Sequence, residues 1–422
     1  MGEARWIVAG LRSPFARVDG GLRRLDAVAL SVPVVRAMAA HLPAGDRPDF
    51  VVWGTVAPNL GWSNIARETV VDAGLDPSTP AFSTVLACAT SMVAAIEAAG
   101  MLGAGRSVAL CGGVESMSRV QIGLAQGLSD WIRRVGQARS LGERLDRLGE
   151  LRARDVRLHV PSIANRATRK SMGEHCEEMA QQWSIARSDQ DRIALASHQR
   201  AVKAMAEGFF DDLVVPVEGV AKDGVPRADS SAEKLAALRP AFDRASGRGT
   251  ITAGNASPLT DGAAAVWVAD DAGLARLPPG RPRARLVDWE MAAVDIFHEG
   301  LLMAPAYAIP RLLARRGLTL EAIDLWEIHE AFAAQVLCNV AALESEDFLR
   351  ERVRIDARLG RFPWERFNPN GGSISIGHPF GATGARILSQ AVKELAALGA
   401  GKRAIVSVCA DGGLATVALL ET

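Results

Sequence analysis

The sequence predicts an α/β protein with covered, parallel sheets, built as two similar halves. Three observations predict it. Short apolar runs have the character of buried strands, small-residue or amphipathic helical stretches alternate with them, and the same rhythm returns from Ala304 onward. With 49% hydrophobic residues in 422, the chain can bury the cores of two to three domains, which excludes a disordered tail or a disulfide miniprotein.

In chain order, the apolar runs Trp6–Gly10, Phe50–Trp53, Phe82–Leu86 and Ser107–Leu110 read as strands. Helices are expected between them near Ala27–Ala40, Asn64–Ala73 and Cys88–Leu102. The last of these lies in Thr84–Gly105, uncharged except for Glu97; seven alanines and three glycines make that stretch a poor hydrocarbon span and a good helix for a crowded interior. The rhythm then repeats: helix Ala304–Arg315, strand Leu325–His329, helix Ala331–Leu343, helix Gly384–Leu398, strand Ala404–Cys409 and strand Leu414–Leu420. Period-two alternation adds a short strand over Ser373–Ile376. No residue-level repeat links the halves, so any duplication is structural.

Forty-eight basic residues balance forty-eight acidic ones, which gives no general reason to expect nucleic acid or a strongly anionic partner. Arginine supplies 42 of the basic residues, a bias that codon usage explains more simply than phosphate recognition. The balance conceals a local excess: Arg119–Lys170 holds 12 basic residues against 5 acidic ones, +7, with Leu141, Leu145, Leu148 and Leu151 at helical spacing. Part of the segment is expected to be a basic amphipathic helix, either packed on the body by its apolar face or attracting a phosphorylated ligand, an acidic lipid layer or a partner subunit. Five cysteines without a C-x-x-C pair argue against a zinc knuckle, a redox motif or a secreted disulfide framework, so reduced thiols in the cytoplasm are expected and no metal site is. Arg5 and Arg12 interrupt the N-terminal apolar run too soon for a signal peptide, and Trp6 stands where a Met1-Gly2 myristoylation signal wants Ser or Thr.

Four places can carry chemistry. Cys88 sits where a strand gives way to a helix, where unpaired amides and the positive dipole end lower a thiol's pKa and make it nucleophilic. His378 lies in Asn370-Gly-Gly-Ser-Ile-Ser-Ile-Gly-His-Pro-Phe-Gly-Ala-Thr-Gly384, an irregular glycine- and proline-rich turn better suited to a general base or oxyanion donor than to core filling. Cys409 precedes Asp411-Gly412-Gly413 between two apolar runs, a tight hairpin that leaves the thiol at a sheet rim. His329-Glu330-Ala331-Phe332 follows a buried strand at its C-terminal end, where open α/β sheets bind ligands; Glu330 can there complement a helix N-terminus.

Together these residues resemble the thiolase family over nearly the whole chain. The landmarks run in the family's order: Arg12-Ser-Pro-Phe, Asn64-Ile-Ala-Arg67, Cys88-Ala-Thr-Ser91, Gly112-Gly-Val-Glu-Ser-Met-Ser118, Leu238-Arg-Pro-Ala-Phe242, Thr252-Ala-Gly-Asn-Ala-Ser257, Asp261-Gly-Ala-Ala-Ala265, and the His329, His378 and Cys409 motifs. The His-Glu-Ala-Phe variant, Cys88-Ala-Thr-Ser91 and Ser171-Met-Gly-Glu-His175 are similar to the thiolase subunit of fatty-acid β-oxidation complexes.

The resemblance implies a thiolase fold: two βαβαβαββ halves stacked around buried helices, residues 1–118 plus 240–280 and residues 281–422, with a loop domain over 119–239. It implies thiolytic cleavage of 3-ketoacyl-CoA to acetyl-CoA and a shortened acyl-CoA, a reversible Claisen condensation run ping-pong through an acyl-cysteine. Coenzyme A is then a substrate and no cofactor is needed. Cys88 would carry the acyl group, His378 take its proton, Cys409 act as acid or base, and His329 with His378 hold the oxyanion of the second half-reaction. Backbone N–H groups of Cys88 and Asp411 would hold the acyl-enzyme oxyanion. Asp411 departs from the family, which usually has a small residue there; its carboxylate opposes an oxyanion unless it turns away. Ser257, Met172, Phe332 and Ala331 would meet pantetheine and acyl groups and Arg227 the adenine end, with Lys234 a solvated surface charge. A homodimer or homotetramer, a hydratase/dehydrogenase partner subunit and peripheral contact of residues 119–170 with anionic membrane also follow. Alternatives are a biosynthetic acetoacetyl-CoA thiolase, a decarboxylating ketoacyl synthase, which would lack Cys409, and a catalytically altered acyl-CoA-binding subunit.

Overall fold

A computed structural model describes residues 4–422; the Met1-Gly2 start lies outside them. Nine strands line up in one sheet: β1 (Trp6–Val8), β2 (Phe50–Gly54), β3 (Ala81–Phe82), β4 (Val108–Glu115), β5 (Thr260–Ala269), β6 (Arg283–Ala293), β7 (Leu325–Ile328), β8 (Arg403–Ala410) and β9 (Leu414–Glu421). Their order is β7-β8-β9-β6-β1-β5-β4-β2-β3, and a two-residue strand, Ala16–Arg17, pairs on β5 off this path.

The order contains the same pattern twice. In the N-terminal half β2 pairs parallel with β4, then β4–β5 and β5–β1 are antiparallel. In the C-terminal half β7 pairs parallel with β8, then β8–β9 and β9–β6 are antiparallel. The halves join edge to edge through antiparallel β1–β6. The expected parallel sheets are therefore mixed ones. The three-residue Asp411–Gly413 turn that joins β8 to β9 can only return the chain antiparallel, since a parallel return needs a long crossover.

Two helices set the chemistry. In α3 (Thr90–Met101) nine of twelve residues are buried, the all-round burial of a core helix. Another core helix, α11 (Thr383–Leu398), crosses it at glycine distance: a Cβ at Gly384 would sit 2.4 Å from the Met92 backbone nitrogen, and Ala385 N–H donates to Ser91 Oγ at 2.8 Å. Met92, Ala95 and Ile96 from α3 share one apolar cluster with Ile387, Leu388 and Ala391 from α11. Burial of the methionine, isoleucine and leucine side chains among them contributes about 1.5–3 kcal/mol each. The remaining helices are α1 (Ala27–Ala39), α2 (Ile65–Asp72), α4 (Gln126–Gln137), α5 (Leu141–Gly149), α6 (Met172–Gln182), α7 (Arg187–Ala206), α8 (Pro305–Arg316), α9 (Ala333–Leu343) and the one-turn α10 (Ser373–Ile376), besides several short turns of helix.

Two expected strands are corrected. Ser373–Ile376 is α10, because its alternation does not separate a wet face from a dry one: all four residues are buried. The Ile374 amide ends on Glu330 Oε2, the Gly372 amide ends on Ser197 Oγ, and Gly371 at φ +85° turns the chain into the helix. The Phe82–Leu86 strand stops at Phe82. Beyond it Ser83 Oγ donates to Asn64 Oδ1 and the Leu86 amide to Thr90 Oγ1, so those groups leave the ladder.

The chain forms two compact units. The larger takes in the chain up to Ala57, Gly61–Arg119 and Ala164–Thr422; of the 119–239 segment expected as a loop domain, residues 164–239 pack within it. The smaller comprises Pro58–Leu60 and Val120–Ile163. It contains α4, α5 and a short ribbon, Gly123–Leu124 with Leu158–His159, and is pinned by Trp131 Nε1–H on Arg147 O at 2.8 Å. The basic helix predicted from the leucines is α5, with Leu151 beyond its end; Leu141, Leu145 and Leu148 are exposed. Among the described residues no helix is long and apolar enough to cross a membrane.

Candidate active site

Cys88 stands two residues before α3, on a turn whose Ala87 adopts φ +44°, a conformation that costs an L-residue about 1–2 kcal/mol. Thr90 holds that turn: its hydroxyl accepts the Leu86 amide at 2.9 Å and donates to Ala87 O at 2.8 Å. The turn projects the thiol toward the start of α11, where Gly377 at φ +115° sends the chain into His378. His378 Nε2 lies 3.1 Å from Cys88 Sγ.

The other edge of each imidazole fixes its tautomer. Thr383 Oγ1 donates to Pro379 O at 3.1 Å, so toward His378 Nδ1, 2.7 Å away, it accepts. Nδ1 therefore carries the proton, and Nε2 offers its lone pair to the Cys88 thiol. His329 is fully buried just past β7, its ring centroid 4.2 Å from that of His378, with Nδ1 2.7 Å from Ser373 Oγ. Burial and the Arg386 charge pull His378 down to about 3; burial, His378 and Arg386 pull His329 well below the ordinary histidine range. Both imidazoles are neutral at physiological pH.

The thiol itself departs from the expectation of a lowered pKa. Burial first, then the charge of Asp411, push Cys88 up to about 12, with Glu115 adding to the rise. The Asp411 amide and the Cys88 amide pull the other way but do not outweigh desolvation. The resting nucleophile is a neutral thiol hydrogen-bonded to a neutral base. Cys409 is buried one residue before the end of β8, opposite Ala415, and burial together with Cys88 pushes its thiol up as well.

The Asp411 carboxylate is held by its own partners. Its Oδ1 accepts from Asn165 Nδ2 at 2.8 Å and from the Gly412 amide at 2.6 Å. Asn165 Oδ1 in turn accepts the amides of Ala167 and Thr168, and Thr168 Oγ1 meets His175 Nε2 at 2.7 Å. Glu330 is also reassigned. Instead of complementing the start of α9, its buried carboxylate accepts from Ser197 Oγ, Asn368 Nδ2 and the Ile374 amide, because three donors from other segments converge on it.

The residues expected to meet coenzyme A fall into two places. Met172, at the start of α6 behind a Ser171–Glu174 capping box, packs against the apolar cluster that contains Ala331, Phe332 and Cys409. Ser257 joins them, its amide and hydroxyl both donating to Ala331 O at 2.9 Å. Arg227 is exposed, with its amide on His198 Nδ1 at 3.3 Å and its charge near Arg17. Lys234 pairs with Asp229 on the surface.

Sequence reasoning gave no role to Thr90, Glu115, Ser373 and Thr383, although each lies inside a quoted motif, and passed over Asn165 and Arg386, which lie outside them; these residues hold or charge the groups around Cys88, His329 and His378. One donor atom each from Cys88, His329 and His378 lie within 4.8 Å of one another, close enough for a soft metal such as zinc. The hydrogen bonding of the histidines equally suits proton transfer.

Comparison with known proteins gives one answer along the whole chain. Residues 5–272 match the family described as thiolase, N-terminal domain, and residues 280–422 match thiolase, C-terminal domain. A 3-ketoacyl-CoA thiolase of Yersinia enterocolitica is 38% identical over 430 residues, covering 100% of this chain and 97% of the relative; one of Yersinia pestis matches at the same identity and coverage. Among solved structures, the acetyl-CoA acetyltransferase of Bacillus anthracis superposes with TM-score 0.78 at 32% identity, over 99% of this chain and 98% of that one. The Acat5 thiolase of Ascaris suum in complex with coenzyme A superposes with TM-score 0.80 at 29% identity, over 100% of both chains.

Proposed function

Because this chain belongs to the thiolase family, we propose that it cleaves 3-ketoacyl-CoA with coenzyme A, giving acetyl-CoA and an acyl-CoA shortened by two carbons. The observation that carries the proposal is Cys88 Sγ at 3.1 Å from Nε2 of His378, a ring that burial keeps neutral.

In this reading Cys88 gives its proton to His378 Nε2 as the sulfur attacks the 3-keto carbon. The amides of Cys88 and Asp411 hold the resulting oxyanion. Collapse breaks the C2–C3 bond, and the electron pair passes into the enolate of acetyl-CoA, whose oxygen lies between His378 and His329. Cys409 protonates the enolate carbon and is left as the thiolate. Coenzyme A then gives its thiol proton to Cys409 and attacks the acyl-Cys88 thioester; Cys88 leaves and recovers its proton from His378. Two thiols are required because Cys88 is occupied as a thioester while coenzyme A must be deprotonated. Met172, Ser257, Ala331 and Phe332 line the pantetheine and acyl path, and Arg227 takes the adenine end. Making the β-keto thioester is thermodynamically uphill, so cleavage is the net direction. Loss of enolate absorbance on mixing 3-ketoacyl-CoA with coenzyme A measures the reaction. Turnover is expected from the native protein and none from Cys88→Ser; thiolysis retained by that variant sinks the proposal.

The five thiols are all free, which suits a reducing compartment such as the cytoplasm. The chain works as a homodimer or homotetramer, which light scattering tests by its mass. The 58–60 and 120–163 unit presents Ile122, Leu124, Ile132, Leu141, Leu145 and Leu148 to solvent among its arginines, a composition suited to an anionic lipid surface or to a hydratase/dehydrogenase subunit. Reversing Arg133, Arg144 and Arg147 to Glu is expected to weaken sedimentation with anionic vesicles or co-purification with such a subunit. If neither changes, the association role is wrong.

A further inference from the structure

Behind His329 lies a chain of polar contacts that the thiolase reading above does not use. Arg386, 2% exposed on the first turns of α11, donates Nη2 to Ser373 Oγ at 2.8 Å. The same oxygen lies 2.7 Å from His329 Nδ1. Among the described residues Ser373 Oγ has no third partner, and the buried His329 Nε2 has none at all.

A hydroxyl has one proton, and a guanidinium can only donate. With Arg386 occupying a lone pair of Ser373 Oγ, the one acceptor within reach of the serine proton is His329 Nδ1. That places the imidazole proton on Nε2, the nitrogen without a protein partner, on the ring edge away from Ser373. Burial lowers Arg386 to about 10, so it keeps its charge at physiological pH; the negative charges of Glu327, Glu330 and Asp223 favour that charge and Arg12 opposes it. Its positive charge also disfavours a second proton on His329. The two active-site histidines are thereby set in opposite tautomers: Thr383 makes His378 an acceptor toward the thiol, and Ser373 makes His329 a neutral donor.

We propose that Ser373 and Arg386 are positioning residues for the enolate half of the reaction, holding His329 as the Nε2–H tautomer that donates to the enolate oxygen of acetyl-CoA. The inference rests on the thiolase reading and on the placement of His329 beside that oxygen. Acyl transfer to Cys88 uses the Cys88 and Asp411 amides instead, so the two half-reactions separate the roles. A change in packing around Ser373 slows both; a lost tautomer slows one.

The test compares the native protein with Ser373→Ala, Arg386→Lys and His329→Asn. Deuterium exchange from solvent into the methyl group of acetyl-CoA reads enolisation, and acetylation of Cys88 by acetyl-CoA, followed by mass spectrometry, reads acyl transfer. Nitrogen-15 NMR of histidine-labelled protein reads the tautomer, with the His329 signals assigned by their absence in His329→Asn. We expect native His329 to show a protonated Nε2 and a bare Nδ1. Ser373→Ala should mix the tautomers and slow exchange about 10- to 100-fold, less than the roughly 100- to 1,000-fold cost of an oxyanion donor lost outright because part of the population keeps Nε2–H, while acetylation changes less than about threefold. Arg386→Lys, which keeps the charge, should retain more exchange than Ser373→Ala. A protonated Nδ1 in the native protein, or equal losses in exchange and acetylation in Ser373→Ala, overturns the proposal. If His329→Asn itself leaves exchange intact, the placement of His329 falls first, which distinguishes failure of the reading from failure of the inference.

Discussion

In the N-terminal half the chain leaving β2 continues as Thr55-Val56-Ala57, and the Thr55 hydroxyl and the amides of Val56 and Ala57 all end on the Glu115 carboxylate, which closes β4. In the C-terminal half the chain leaving β7 at the equivalent place continues as His329-Glu330-Ala331, and the His329 Nε2 has no partner among the described residues. The eight-residue strands beside them differ in the same way: one residue before its end β4 carries Val114, and β8 carries Cys409. The strand order is shared, so the frame does not decide what the strand ends can do. The two ends differ at one atom: the polar groups of Thr55–Ala57 are used up on Glu115, and Glu330 is likewise satisfied, whereas His329 Nε2 is not. Glu115 also reaches across to the Gly381 amide at 3.1 Å, so the N-terminal half, which supplies Cys88, also helps to hold the loop that carries His378.

The sharpest way to strain this comparison is Asp411→Asn, because Asp411 belongs to the C-terminal hairpin and its charge acts on the thiol supplied by the N-terminal half. The carboxylate raises the Cys88 pKa while its own backbone amide lowers it. Asparagine keeps the amide, and its Oδ1 can still accept from Asn165, so the variant removes the charge and leaves the anchor. With the raising influence gone, the thiol pKa falls. We expect the pH profile of Cys88 alkylation by iodoacetamide to move to lower pH by about one unit, making the reaction about tenfold faster on its rising limb. An unmoved profile would mean that the carboxylate is screened from the sulfur, and that the C-terminal hairpin contributes geometry alone.

The same pair of regions shows what a sequence discloses. Cys88, His378 and Cys409 could be read because each sits at a local boundary, a strand-to-helix junction, a glycine-rich turn or a hairpin, whose signature spans a few neighbouring residues. His329 could be read from the end of a buried strand. Ser373 was hidden because its alternation with isoleucine has the period of a strand, and only its contacts to His329 and Arg386 show why a buried helix carries serines. Asn165 lies 246 residues from Asp411, and no local pattern announces such a pairing. The thiol pKa was misjudged in direction for the same reason. The helix N-terminus is visible in the sequence, whereas the burial and the carboxylates that outweigh it come from distant segments.

The smallest expected effect concerns pH, and it separates a dry C-terminal site from a wet one. A free imidazole titrates near 6.5, so an ordinary histidine base loses its lone pair, and its rate falls tenfold per unit, once the pH drops below that value. His378 is held down to about 3, chiefly by burial and then by Arg386, and His329 is pulled well below its ordinary range. A lowered pKa keeps a base unprotonated to lower pH, so both rings remain neutral through the range where a free histidine would charge. Acetylation of Cys88 by acetyl-CoA, measured without free coenzyme A so that its thiol does not contribute, is therefore expected to vary by less than about threefold between pH 5.5 and 7.5. An inflection near 6.5 would place water against His378, as against an exposed side chain. The C-terminal half would then owe its reactivity to an open surface, and the contrast with the sealed Glu115 loop would have to be drawn from solvent access instead of from unpartnered atoms.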